Sequence, residues 1–73
     1  MFKVTNHLGV EFSCQIEVEG YQLWIYKGSQ FIASYYTKTI KEMPEDTGLN
    51  LRMGDPELCL TPDNIAEIKE HIC

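Results

Sequence analysis

Residues 10–36 read VEFSCQIEVEGYQLWIYKGSQFIASYY. The opening of this stretch alternates without a break. Val10, Phe12, Cys14, Ile16 and Val18 fall on one parity, and Glu11, Ser13, Gln15, Glu17 and Glu19 on the other. Successive side chains of an extended strand point to opposite faces, so the pattern predicts a strand with one buried and one open side. Glu19-Gly20 then offers a two-residue turn, because Gly takes positive φ without steric cost. Tyr21 to Lys27, rich in aromatic and β-branched residues, reads as a second strand. Gly28-Ser29 places Gly first, the order a type II′ turn prefers, and Phe31 to Tyr36 reads as a third strand. Upstream, Phe2 to Thr5 reads as a short strand closed by the Asn6-His7-Leu8-Gly9 loop.

Two-residue loops fix register, and directly opposed residues share a face. Around the first turn, Ile16 is expected opposite Leu23 and Cys14 opposite Ile25. Around the second, Ile25 is expected opposite Ile32 and Leu23 opposite Ser34. One face then collects Phe12, Cys14, Ile16, Val18, Tyr21, Leu23, Ile25, Ile32 and Tyr36, an aliphatic core side. The other collects Glu11, Ser13, Gln15, Glu17, Gln22, Trp24, Tyr26, Phe31, Ala33 and Tyr35.

The core side needs a cover, and the end of the chain supplies one. Thr61 is a good N-cap, Pro62 suits the first helical position, and Asp63 adds negative charge to the first turn. Leu60 and Ile65 stand where a hydrophobic staple would form. Ile65, Ile68 and Ile72 then make an apolar stripe at helical spacing. The expected fold is α+β: an antiparallel meander of four or five strands, centred on residues 2–36 with the additional strand in 37–60, and a helix over 62–72 packed on one face. Residues 37–60 read as irregular. They hold a helical turn near Thr39 to Glu45 and a strand in which Leu49, Leu51 and Met53 alternate with Asn50 and Arg52.

Seventy-three residues make a single small domain with a thin stability margin. The net charge is -5. Most of it lies after Tyr36, where Lys38, Lys41, Arg52 and Lys69 meet Glu42, Glu45, Asp46, Asp55, Glu57, Asp63, Glu67 and Glu70. An acidic chain lacks the cationic footprint for phosphate backbones, which disfavours direct nucleic-acid binding and anionic membranes. No run approaches the roughly 20 apolar residues of a membrane span, and the Met-Phe-Lys-Val-Thr-Asn-His start has no signal-peptide core. Cys14, Cys59 and Cys73 fit no disulfide framework, and reduced thiols in the cytoplasm are the expectation.

Candidates for chemistry are few. Cys14 falls on the core parity, and free Cys is commonly a small buried hydrophobe. His71 sits where a cation favours a helix C-terminus, and His7 in a turn. Cys59, His71 and Cys73 do not have the close pairing of a structural zinc site. Glu11 and Glu17 lie about 20 Å apart along a strand, too far for paired-carboxylate hydrolysis at about 5–10 Å. The five glycines are scattered one to a turn rather than gathered in a phosphate loop. The expectation is no catalytic residue, no cofactor and no metal.

The second sheet face is the informative feature. Trp24, Tyr26, Phe31 and Tyr35 gather there, with Glu11 and Glu17 in the rim, and Trp and Tyr dominate binding hot spots. Either this face meets a partner, or residues 37–60 fold over it through Ile40, Met43, Leu49, Leu51 and Met53. The leading expectation is a non-enzymatic protein-binding module that occludes a surface of a larger protein, in the manner of inhibitors and the anti-defence proteins of phage. The alternatives are a homo-oligomeric subunit of a larger assembly, built through an unprotected strand edge, and a nucleic-acid mimic using Glu42, Glu45, Asp46, Asp55 and Glu57.

Overall fold

A computed structural model of the chain describes residues 1–72. Its main element is a four-stranded antiparallel sheet of β1 (Phe2–Thr5), β2 (Glu11–Glu17), β3 (Gln22–Lys27) and β4 (Gln30–Tyr36), ordered as a simple meander. A short helix α1 (Thr37–Lys41) follows β4 directly. Next come two minimal strands paired with each other, β5 (Leu49–Asn50) and β6 (Cys59–Leu60), and then helix α2 (Pro62–His71). The class is α+β, with the C-terminal helix on one face of the meander. The strand expected to run through Met53 stops at Asn50, and Met53 is 91% exposed. The helical turn expected from Thr39 begins two residues earlier, at Thr37.

α2 starts as its residues dictate. Thr61 Oγ1 accepts from the Asn64 backbone N–H, and Asn64 Oδ1 accepts from the Thr61 N–H, a reciprocal capping box. Leu60 and Ile65 are both buried, as a staple requires. Asn64 also donates through Nδ2 to the Thr5 carbonyl at 2.9 Å, tying the helix start to the end of β1.

One apolar cluster holds the molecule together. Val4, Phe12, Cys14, Leu23, Ile25 and Ile32 of the sheet meet Ile65 and Ile68 of α2. Ile40, Leu51, Leu58 and Leu60 join the same cluster. The middle segment therefore contributes to the core on the helix side.

The first hairpin keeps the expected register, with Ile16 opposite Leu23 and Cys14 opposite Ile25. Its turn is longer than two residues. The ladder closes at Glu17 and Gln22, and Tyr21, not Gly20, takes the left-handed conformation at φ 53°. Val18 and Tyr21 consequently leave the core side and are 75% and 69% exposed.

The second hairpin corrects the sequence reading. Gly28, at φ 62°, opens a two-residue turn that sets Tyr26 opposite Phe31. The register then shifts, so that Ile25 faces Ala33 and Leu23 faces Tyr35. This is a β-bulge: one extra residue on β4 lets Ile32 and Ala33 both pack into the core. Beyond it every β4 side chain changes face. Tyr35 belongs to the core side, packed against the cluster and half-buried, and that burial pushes its phenol pKa up. Tyr36 takes the place expected for Tyr35, opposite Gln22 on the outer face, and is 63% exposed.

Candidate functional site

The outer face of the sheet is built by strand alternation. β2 places Glu11, Ser13, Gln15 and Glu17 on it, and β3 places Gln22, Trp24 and Tyr26. β4 adds Phe31 before the bulge and Ser34 and Tyr36 after it. β1 adds Lys3, which lies opposite Ser13.

Three aromatic rings form its centre. Phe31 meets Tyr26 edge-on with centroids 5.8 Å apart and meets Trp24 tilted at 5.9 Å. Both are favourable arrangements for ring quadrupoles. Phe31 serves both because Tyr26 lies directly opposite it and Trp24 is the diagonal neighbour two residues along β3. Trp24 and Tyr26 are half-buried by neighbours, whereas Phe31 is 47% exposed.

The polar rim is partly committed within the chain. Trp24 Nε1 donates to Glu17 Oε2 at 3.3 Å. Lys3 Nζ lies 3.2 Å from Glu11 Oε1, with both side chains more than half exposed. Such a pair contributes little to stability, about 0–1 kcal/mol, but it neutralises Glu11. Of the two rim carboxylates singled out from the sequence, Glu17 anchors the indole and Glu11 carries a counter-ion. The site residues Trp24, Tyr26, Phe31, Glu11 and Glu17 are together on one face, and Tyr35 is not among them.

The groups considered for chemistry are dispersed or engaged. Cys14 is fully buried, and burial, with a smaller contribution from Glu67, pushes its thiol pKa up to about 11. Cys59 is half-buried and its Sγ donates to the Pro56 carbonyl at 3.1 Å. The His71 ring stacks face to face on Phe2, with centroids 3.8 Å apart and planes 6° apart, which docks the end of α2 on β1. Cys73, weighed with Cys59 and His71 as a metal ligand, lies outside the described residues. Among the described residues, no three His, Cys, Asp or Glu side chains converge as a metal site. In the acidic segment, Asp55 Oδ1 accepts from the Glu57 backbone N–H and shapes its own turn.

Sequence reasoning did not find a groove at the end of the sheet, between the β2–β3 turn and α1. It is lined by Tyr21, Tyr36, Thr37, Lys38, Thr39, Lys41 and Ile72. Its signals are hidden in the sequence, because strand alternation puts Tyr21 and Tyr36 on the core parity. Among the described residues no helix is long and apolar enough to cross a membrane. Comparison with protein-family models, with curated proteins and with solved structures gives no match for this chain.

Proposed function

We propose that the chain is a non-enzymatic protein-binding module that docks through the outer sheet face, with Trp24, Tyr26 and Phe31 as anchors and Glu17 in the rim. The observation that carries this reading is the destination of the middle segment. Ile40, Leu51, Leu58 and Leu60 enter the core beside α2, with Met43 and Leu49 packed against it, so among the described residues the middle segment's apolar side chains are committed to the helix side rather than to the aromatic face. Rigid rings in mutual contact give large contact area at low entropic cost, which is what an interface core requires. The net charge of -5 favours a partner with a basic surface around an apolar centre. A module of this kind acts by occluding the surface it covers, the mode of action of a cytoplasmic inhibitor or anti-defence protein. Capture of partners on immobilised protein, identified by mass spectrometry, tests it. A true partner is retained by the native chain and by Met53→Ala, an exposed position of the middle segment, and lost with a folded Trp24→Ala/Phe31→Ala variant. Equal retention by all three removes the outer face from consideration.

One observation favours a second reading, a homodimer through β4. This strand forms one edge of the sheet, and Gln30 to Tyr36 contain neither a charged residue nor a proline. Natural edges are usually blunted by such residues, and here the bulge is the only device of that kind within the strand. Sedimentation equilibrium separates the two: a stable dimer that dissociates when Ser34 is replaced by Pro would support edge pairing, and a monomer at about 100 µM would exclude it as a tight assembly.

A further inference from the structure

The groove at the sheet end carries a different kind of site. Tyr21, Tyr36, Thr37, Lys38, Lys41 and Ile72 surround a space of about 550 Å³. That falls within the range of roughly 300–1,000 Å³ typical of small-molecule sites. A smaller recess of about 170 Å³ shares Tyr21, Thr37 and Ile72 with it and adds Ile16 and Val18 as apolar wall. It is closed on its polar side by His71 and by Glu17, whose carboxylate is already engaged by the Trp24 indole and keeps a ligand's anionic head at the lysine end.

Three observations define what would fit. First, Tyr21, Tyr36 and Ile72 give the wall an apolar side, and both rings are open rather than packed away. Second, Lys38 and Lys41 stand three apart on α1, which brings them to the same side of the helix. Both are exposed, and among the described residues neither has a carboxylate within ion-pair distance. Two ammonium groups side by side at one groove make a locally cationic spot on a chain of net charge -5. Third, Tyr21 is the one non-glycine among the described residues at positive φ. Its carbonyl accepts from the Thr37 N–H at 2.8 Å and from Thr37 Oγ1 at 3.3 Å, which holds the turn in that shape. A bulky residue there is strained where Gly would not be, and strain of this kind concentrates at ligand sites.

We propose that this groove binds a small amphiphilic carboxylate. Its apolar or aromatic body lies against Tyr21, Tyr36 and Ile72, and its head lies at Lys38 and Lys41. Two lysine point charges suit a single carboxylate. The site adjoins the outer face and shares Tyr36 with it, but contains none of Trp24, Tyr26 and Phe31, so it stands whether or not those rings bind protein.

The test is a titration of uniformly ¹⁵N-labelled protein with 2-naphthoate and, separately, with its neutral analogue 2-naphthamide. The expected result is saturable shifts at the amides of Tyr21, Thr37, Lys38, Lys41 and Ile72, with the Trp24 indole N–H resonance unmoved. The acid binds roughly tenfold tighter than the amide, and Lys38→Gln/Lys41→Gln abolishes that preference. Tyr21→Gly weakens both ligands without lowering the thermal midpoint. The proposal is overturned if the groove amides do not respond at millimolar naphthoate, if acid and amide bind equally, or if the shifts centre on the Trp24 indole. A lowered midpoint for Tyr21→Gly also overturns it, because the ring would then be present for folding.

Discussion

The indole N–H of Trp24 reaches diagonally from β3 to β2 and donates to Glu17 Oε2 at 3.3 Å, on the face opposite Ile25. Two adjacent residues thus serve different ends. Ile25 lies in the core with no exposed surface, and Trp24 is fixed at the edge of an open aromatic cluster.

That division predicts unequal costs of truncation. Ile25→Ala should lose about 2–5 kcal/mol, the range for deleting buried aliphatic volume. Trp24→Ala removes one tilted ring contact and one exposed hydrogen bond, and should lose about 1–2 kcal/mol. Urea unfolding at pH 7 gives both values directly. Equal losses would mean that the outer face is a second core, and the docking reading would fall with it.

The β4 bulge predicts that neighbouring tyrosines differ in the same way. Tyr35 packs against the core opposite Leu23, while Tyr36 points to the outer side. Tyr35→Ala should therefore cost roughly 2–4 kcal/mol and Tyr36→Ala under about 1 kcal/mol. The regular register makes the opposite prediction, so the order of the two unfolding midpoints decides between them.

The same strand shows why the fold was more legible than the site. From Val10 to Val18 apolar and polar residues alternate strictly, and a one-residue slip would bury carboxylates, so pairing across the first hairpin is determined. In Phe31-Ile32-Ala33-Ser34-Tyr35-Tyr36 both parities are largely apolar, and nothing local chooses between a regular strand and a bulged one. The choice is made by the core, which accepts both Ile32 and Ala33. The α2 cap and stripe were readable because they are local. The destination of Ile40, Leu51 and Leu58 depends on contacts far along the chain. So does the groove, whose walls come from a turn, the start of α1 and the end of α2.

The thiol of Cys14 predicts a pH dependence on the alkaline side. Its folded pKa is raised from 9.0 to about 11, chiefly by burial. The folded protein keeps a proton that the unfolded chain releases, so stability is unaffected below pH 9 and declines as pH rises from 9 towards 11. The thiol's share of that decline is about 2–3 kcal/mol at its full extent. Tyr35, also raised by burial, adds a decline in the same direction above pH 10. Thermal midpoints measured across this window should therefore fall less steeply in Cys14→Ala than in the native chain. Parallel curves would show that Cys14 ionises as freely folded as unfolded.

Asn6 is the polar counterpart of the core. Its buried carboxamide accepts from the N–H groups of Leu8 and Val10 at 2.9 and 3.0 Å. It donates to the carbonyls of Glu57 and Cys59 at 2.9 and 3.0 Å. One side chain therefore shapes the β1–β2 turn and fastens the segment leading into β6 across it. The sequence marks Asn6 as a turn residue, but its partners some fifty positions away are invisible there. Asn6→Ala leaves two donors and two acceptors of a part-buried junction without this partner and should cost about 1–3 kcal/mol. Asn6→Asp keeps the acceptor and replaces the amide donor with an oxygen that faces two carbonyls. At pH 7 it should be at least as damaging as the alanine variant, and near pH 4 the loss should shrink as the carboxyl gains a proton it can donate. Amide hydrogen exchange locates the damage. Protection at Leu8, Val10 and Leu51 should fall before that at Leu23 and Ile25, and uniform loss across all five would mean that Asn6 acts on global stability rather than on this junction.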